Sequence, residues 1–423
     1  MKAYIKTYGC TLNQADGDMI GAVLSAGGIS IAESEEDADI VVLNTCTVKE
    51  QTQTRIVQKM RDLECTRTPL LVTGCMAGAN QDIIRKHAPS ASIVSVHNIS
   101  RVAEAAFSSF DGKPVEYTKK SKGDRLSMFS PANSVVTRIP INDGCLSSCG
   151  FCETRYARGS LNSFSEGLIV KAVESSVRHG AKEIDLTSQD TGAYGRDRGT
   201  SITELMRRVA VLDGDFRARV GMMNPEHLKD SIEDFAEALR GNKFYRFAHI
   251  PIQSGSDKVL EAMGRSKCTV KEFEGYVSYL REAVPGITIE TDIIVGFPGE
   301  SGADFDMTLE MLERVKPDVT NVSRFTKRPH ARASKMQQID TATINERSSY
   351  AAKTVRKVQS EINSRFVGER MHILITEPSS SSSVGRDYCY RHAVVTEQGL
   401  ESGASIDVRA YASSAYSIIC KPG

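Results

Sequence analysis

Three cysteines at CxxxCxxC spacing, Cys145, Cys149 and Cys152, stand in Asp143-Gly144-Cys145-Leu146-Ser147-Ser148-Cys149-Gly150-Phe151-Cys152. That spacing lets one tight loop turn three thiolates toward a common point. Three thiolates can hold three corners of a cubic iron–sulfur cluster that normally takes four cysteines, which leaves one iron open to a small ligand. A zinc site or a redox pair is the alternative, although structural zinc closes with four ligands and pairs its cysteines as CxxC. Three further cysteines, Cys10, Cys46 and Cys75, lie far apart, each just after a short apolar or alternating run: Lys2 to Thr7, Asp39 to Leu43, Leu70 to Val72. If those runs are strands of an open parallel sheet, the cysteines meet at its carboxyl edge, where such sheets bind ligands. Three separate core cysteines are the alternative. Cys65, Cys268, Cys389 and Cys420 fall outside both triads and read as structural or incidental.

The elements that must position these residues follow from periodicity. The 423 residues suit two to three domains, and 53 Lys and Arg against 53 Asp and Glu leave bulk charge naming no partner. No apolar run is long enough to cross a membrane. Met1 to Lys6 reads as a first strand and not a signal peptide. Clustered cysteines in a chain of this size argue for metal ligation in a reducing cytoplasm. Asn13 or Asp16 is expected to cap a helix through Ser25, a polar helix should run from Lys49 to Leu63, and Ala91 to Val96 is a fourth strand. Strands alternating with helices indicate a mostly parallel α/β sheet. Phe110 to Asn133, with Lys113, Lys119, Lys120 and Lys122, reads as an inter-domain linker, solvated or else in contact with RNA.

From Ser134 the alternation resumes. Strands are expected at Val135–Ile141, Glu183–Leu186, Arg219–Met222, Phe247–Ile250, Thr288–Ile294 and Asp318–Val322. Chemistry in barrels of βα units sits at the strand C-terminal ends. Ser188-Gln189-Asp190, Met223-Asn224-Pro225, His249 to Ser256 and Gly296 to Glu300 all fall there. Arg324 to Arg370 carries eleven Lys or Arg against four Asp or Glu, much of it helical from Thr343 to Phe366. A solvated helix face or a phosphate-tracking stripe accounts for it. The tail is short strands, Met371–Thr376, Ala393–Val395, Ser405–Arg409 and Ser417–Cys420, with Ser379 to Ser383 a flexible loop.

The Cys145 loop resembles the signature of the radical S-adenosylmethionine (SAM) enzymes, in which the open iron chelates the amino and carboxylate groups of SAM. Thr7-Tyr8-Gly9-Cys10, Asn44-Thr45-Cys46 and Thr73-Gly74-Cys75 ahead of it look like the methylthiotransferases, over nearly the whole chain. Tyr8 to Asn13, Gly144 to Cys149 and Leu186 to Gly195 look most like the archaeal and eukaryotic branch, which acts on N6-threonylcarbamoyladenosine of tRNA.

The resemblance implies an α/β fold in three parts. An N-terminal open α/β sheet domain (1–110) holds an auxiliary cluster, a partial (β/α)6 radical SAM barrel (131–362) follows, and a small TRAM-like RNA-binding β-barrel closes the chain (363–422). It implies two [4Fe-4S] clusters, on Cys145, Cys149 and Cys152 and on Cys10, Cys46 and Cys75. It also implies two molecules of SAM, one a methyl donor and one a radical source. Gln189, Asp190, His249 and Gln253 are then polar SAM contacts, Phe151 lies beside the adenine, and Gly296 lines the pocket. Arg158, in Ala157-Arg158-Gly159, would reach a SAM carboxylate or an RNA phosphate. Lys353, Arg356 and Lys357 would contact RNA. Arg328 to Ala333 occupies the place of a proline-rich family motif but departs from it. The implied partners are tRNA, not DNA, and an electron donor such as ferredoxin or flavodoxin. The expected reaction inserts a methylthio group at carbon 2 of the base next to the anticodon. Another tRNA adenosine, a ribosomal-protein aspartate, or a two-cluster electron carrier with an RNA-binding tail are the alternatives.

Overall fold

The computed structural model describes residues 1–47 and 50–423. Its first unit is a parallel sheet in the order Ser30–Ile31, Lys2–Thr7, Ile40–Thr45, Leu70–Gly74, Ser92–Ser95, Glu116–Tyr117. The central run Ile40-Val41-Val42-Leu43 is apolar and mostly β-branched, as a strand covered on both faces requires. Its side chains alternate between two cores. Val41 and Leu43 pack with Leu70, Val72 and Ile93 on one face. Ile40 and Val42 pack with Ala3, Leu71 and Val94 on the other. The helix expected from Lys49 occupies Glu50–Cys65; Lys49 itself lies outside the described residues.

Two expectations for this unit are corrected. Asn13 and Asp16 do not cap the first helix, which spans Thr11–Ala26 with Cys10 at its N-cap. Both are fully buried. Asn13 instead ties two strand ends together, donating from Nδ2 to Tyr8 O at 2.6 Å and Thr45 O at 2.8 Å. The stretch from Phe110 to Asn133 is not solvated throughout. Glu116–Tyr117 is the sixth strand, and Arg125 is buried because two carboxylates claim its guanidinium. Lys113, Lys119, Lys120 and Lys122 stay exposed.

The second unit is an arc of six parallel strands in chain order: Val136–Pro140, Glu183–Thr187, Arg217–Val220, Phe247–His249, Thr288–Val295, Val319–Arg324. It consists of two hydrogen-bonded sets of three, joined by the Ala218–Phe244 bridge and by Met223 N donating to His249 O at 3.0 Å. Along Thr288–Val295 the faces alternate. Ile289 and Ile293 enter the core beneath the helices, while Glu290 and Asp292 turn to the lumen. This is the expected partial barrel, with strand limits shifted by up to two residues. The long helix Thr341–Ser364 runs beside its last strand.

The third unit is a closed five-stranded barrel of Arg370–Glu377, Ser383–Arg386, His392–Val395, Ile418–Pro422 and Ser405–Ser413. The serine run is not loop to its end, since Ser383 is fully buried and opens a strand. The Tyr388 to Arg391 turn of this barrel is pressed against the N-terminal end of the larger one. Tyr388 donates to Gly241 O at 2.8 Å, Arg391 Nη2 to Gly286 O at 2.8 Å, and Tyr390 to Glu183 Oε1 at 3.3 Å. Among the described residues no helix is long and apolar enough to cross a membrane.

Glu183 is one titratable group of this interface. Burial, and next the neighbouring Asp185, push its carboxyl from 4.5 up to about 7, against the Tyr245 hydroxyl, which donates to it at 2.9 Å. A carboxyl whose folded-state value is raised favours the fold fully below its ordinary value, and that contribution is lost as pH rises through the folded value. Glu183→Gln should remove this dependence. Between pH 6 and pH 8 wild type is expected to lose on the order of 1–2 kcal/mol relative to the variant, by urea denaturation at several pH values. Parallel pH profiles for the two proteins would refute it.

Candidate functional site

Each N-terminal cysteine stands where a strand ends. Cys10 follows Lys2–Thr7, Cys46 follows Ile40–Thr45, and Cys75 begins a short helix after Leu70–Gly74. Cys10 is exposed, whereas Cys46 and Cys75 are buried. Gly9 makes the approach of the first to the second possible. Its φ is +106°, and a Cβ there would lie 2.7 Å from Cys46 Sγ. The Cys75 thiol is pushed up to about 12, chiefly by burial; Arg158 lowers it while the Cys46 and Cys10 thiols raise it. The three sulfurs therefore share one electrostatic neighbourhood.

The second triad sits on the loop after Val136–Pro140, all three cysteines half-buried and free of disulfides. Main-chain amides point at two of the sulfurs: Ser147 N at 3.3 Å from Cys145 Sγ and Thr154 N at 3.4 Å from Cys152 Sγ. Burial first, then the Asp190 carboxylate, push the Cys145 thiol up to about 12. Burial also raises Cys149, against Arg265, whose Nη1 lies 3.9 Å from its sulfur. Arg265 also donates to Asn224 Oδ1 and, at 2.5 Å, to Pro251 O. The loop is further pinned by Gly150 N donating to Met263 O at 2.7 Å and by Ser147 Oγ donating to Glu226 Oε1 at 2.8 Å. Strand ends two, three and four thus converge on the cysteine loop.

Both sets of residues fit an iron–sulfur group. The donor set is six thiols with amide and guanidinium partners aimed at sulfur. A tetrahedral zinc with bonds of about 2.3 Å would hold sulfurs roughly 3.8 Å apart. Among the described residues, the only trio of metal-ligand-type atoms all within 4.8 Å of one another is His249, Glu290 and Asp292. Each cysteine triad is spread wider than that.

The two rims face each other. Helix Cys75–Ala79 packs on helix Thr154–Arg158, where a Cβ on Gly78 would lie 2.5 Å from Ala157 O. Arg158 is 1% exposed. It pairs with Asp16 and with Asp143 at 3.2 Å, and its Nε lies 3.2 Å from Cys75 Sγ. This corrects its assignment to an RNA phosphate or SAM carboxylate, because its donors are spent inside the interface. Arg328 is buried nearby and donates to Gln53 Oε1 at 2.7 Å. Burial lowers its pKa, while Glu153, Glu50, Cys46 and Cys152 raise it, so it lies within reach of both triads.

The other expected contacts divide. Gln189 is half-buried at a strand end, and its Oε1 is buried without a hydrogen-bond partner among the described residues. His249 Nε2 lies 3.0 Å from Asp292 Oδ2 in the lumen, with Asn321 Nδ2 donating to Asp292 and Glu290, both at 2.8 Å. Burial works to lower the His249 pKa, but the Asp292 hydrogen bond and the two carboxylates outweigh it and raise the value. Gln253 has φ +79° and pairs through its main chain with Asp292 and Ile294. Phe151 packs beside Val259, Met263, Phe297 and Phe325. Gly296 N donates to Glu300 Oε2 at 2.9 Å, and Ile344 of the long helix lies against it. Lys353, Arg356 and Lys357 are exposed on that helix, away from the cysteines in sequence and on its outer face. Asp190 corrects its assignment as a direct contact. It is fully buried, accepting from Asn224 N at 3.1 Å and Asn224 Nδ2 at 2.6 Å, with His227 Nε2 at 3.0 Å. Its role is to hold Asn224, and through it Arg265, against the loop. Sequence reasoning missed Arg125, Asp143, Asn224 and Arg265, although Asp143 and Asn224 stand inside the motifs it singled out.

Residues 2–95 match the family described as uncharacterized protein family UPF0004, and residues 139–312 match the radical SAM superfamily. The chain is 38% identical to the Pyrococcus horikoshii protein named probable threonylcarbamoyladenosine tRNA methylthiotransferase, over 94% of each. It is 35% identical to the human threonylcarbamoyladenosine tRNA methylthiotransferase, over 97% of this chain and 72% of that protein. The chain belongs to the threonylcarbamoyladenosine tRNA methylthiotransferase family. It is thus an enzyme of the radical SAM class. Its fold is shared with the radical SAM methyltransferase TsrM from Kitasatospora setae, whose structure holds cobalamin and a [4Fe-4S] cluster. The TM-score is 0.57 at 14% identity, over 79% of this chain and 76% of that one.

Asp190→Ala should leave the Asn224 amide groups and His227 buried without their acceptor. A loss of about 3 kcal/mol is expected by urea denaturation, because each unpaired buried donor costs about 1–3 kcal/mol. A variant as stable as wild type would show that water replaces the carboxylate without cost.

Proposed function

We propose that the chain inserts a methylthio group at carbon 2 of N6-threonylcarbamoyladenosine next to the tRNA anticodon. What chiefly supports this reading is the meeting of the two cysteine triads, one at each rim of the interface that Arg158 and Arg328 occupy. In this reading residues 1–110, 131–362 and 363–422 are the auxiliary-cluster, radical SAM and TRAM-like parts of an enzyme working in the cytoplasm. Cys10, Cys46 and Cys75 would hold one [4Fe-4S] cluster, and Cys145, Cys149 and Cys152 the other. When bound, these groups supply the electron that cleaves SAM and the iron that handles the sulfur. The electron comes from a carrier such as ferredoxin or flavodoxin.

The chain's own residues orient and exclude. The Ser147 and Thr154 amides point at the Cys145 and Cys152 sulfurs and orient them. Gln189 Oε1 offers an unused acceptor at the barrel's C-terminal rim for a donor on SAM. Phe151, Gln253 and Gly296 shape the pocket beside it, and His249, kept protonated more readily by Asp292, presents a polar wall in the lumen. Asp190 acts behind them by fixing Asn224.

Mass spectrometry of tRNA nucleosides from cells with and without this protein tests the substrate directly. The methylthio-threonylcarbamoyladenosine signal should vanish without it. Labelled methyl from SAM appearing instead in a ribosomal protein, or in another adenosine, would overturn the assignment. The division of labour has its own test. Replacing Cys10, Cys46 and Cys75 together by Ala should leave SAM cleavage to 5′-deoxyadenosine intact and abolish methylthio transfer. Complete loss of cleavage in a folded, reconstituted variant contradicts it.

Exposed Lys353, Arg356 and Lys357 form the proposed phosphate-tracking stripe. Each neutralised phosphate releases counterions, with a slope of roughly 0.7–0.9 in log affinity against log salt. Replacing the three by Gln should weaken tRNA binding and flatten that slope by roughly 2–3. An unchanged slope would leave this helix a solvated face.

A further inference from the structure

Arg158 has five N–H donors and almost no access to water. Nε lies 3.2 Å from Cys75 Sγ, Nη1 donates to Asp143 Oδ1 at 3.2 Å, and Nη2 donates to Asn13 Oδ1 at 2.8 Å and to Asp16 Oδ2. Arg125 closes the far side, donating to Asp16 at 2.9 Å and to Asp143 at 2.5 Å and 2.7 Å. Two arginines and two carboxylates alternate, so the buried charge sums to zero. The sum cancels, but distance weights its members, and the one in contact with Cys75 is a cation whose counter-charges lie on its other edge.

We infer that Arg158 sets the reduction potential of the cluster held by Cys10, Cys46 and Cys75, raising it by a charge-assisted hydrogen bond to Cys75; this rests on the reading that the triad holds an iron–sulfur cluster. Adding an electron makes the ligand sulfurs more negative, so a buried N–H cation at one of them stabilises the reduced form more than the oxidised form. Net charge, hydrogen bonds to sulfur and solvent exposure are the quantities to which such potentials respond. At the second triad the Arg265 guanidinium is half-buried, stands 3.9 Å from Cys149 Sγ and is shared with Asn224 and Pro251. The Arg158 contact to Cys75 is thus the shorter and the drier of the two. Arg158 is a positioning residue, acting through Cys75 and not on the substrate.

The test is an EPR-monitored redox titration of the reconstituted full-length protein, with SAM added to identify the signal of the cluster bearing the open iron. Arg158→Gln should lower the midpoint of the other cluster by at least about 59 mV, a tenfold change in a one-electron equilibrium. Arg158→Lys, which keeps the charge and loses the Nε–H, should fall between. Asp16→Asn, which removes a counter-charge, should move the midpoint upward. The Cys145 cluster should shift less in every case. An unchanged midpoint in Arg158→Gln with normal iron content would overturn the inference and make the residue plain interface glue. If that variant fails to hold iron, a wild-type midpoint in Arg158→Lys overturns it equally. Wild type reconstituting with only the Cys145 cluster would remove the two-cluster reading and this inference together, an outcome distinct from a full cluster with an unmoved potential.

Discussion

The contact between the two sulfur-bearing rims depends on four charges taken out of water: Asp16, Arg125, Asp143 and Arg158. A single ion so buried carries a penalty of several kcal/mol, and only close pairing offsets it. Pairing here is reciprocal, each arginine reaching both carboxylates. Loss of any member leaves its neighbours charged and uncompensated. The ring therefore contributes little net stability for its cost but specifies one relative position of the two units. Three of its members also lie close to the cysteines in the chain. Asp143 is two residues before Cys145, Arg158 is six after Cys152, and Asp16 is six after Cys10. Fixing the ring fixes where the triads face.

A similar economy holds the cysteine loop, which has almost no regular structure of its own. The carboxylate of Asp190 gathers Asn224 and His227, and the amide of Asn224 in turn orients Arg265 toward Cys149. Polar side chains buried in this way are individually expensive, and they are tolerated because each donor finds its acceptor. Three strand ends are thereby locked into one rim by polar contacts.

What could be read from the chain alone follows from how local each signal is. The strands Ile40–Thr45 and Thr288–Val295 announce themselves by unbroken apolar or alternating runs, and the cysteines by spacing and by their place after those runs. The interface could not be read in this way. Arg158 meets Asp16 across 142 residues and Asn13 across 145, separations that no periodicity encodes. An arginine beside a cysteine loop looks identical whether it faces solvent, a ligand or a buried carboxylate. Asp190 misled for a related reason, since a carboxylate at a strand end suits a ligand as well as it suits Asn224. Ser383 belongs to a strand despite its serine-rich context, because pairing with Val395 in a closed barrel overrides composition.

The helix Thr341–Ser364 has a consequence of its own. At its start Arg347 pairs with Glu300 beside the catalytic rim, and at its end Asn363 donates to Ser414 O and Ala415 O of the small barrel. Its 24 residues, at 1.5 Å each, make a strut about 36 Å long that runs from the Glu300 rim to the small barrel. The small barrel is thus docked under the floor of the enzyme, opposite the roof where the cysteines lie. Any displacement of the small barrel is thereby carried along one rigid rod to the Arg347–Glu300 pair.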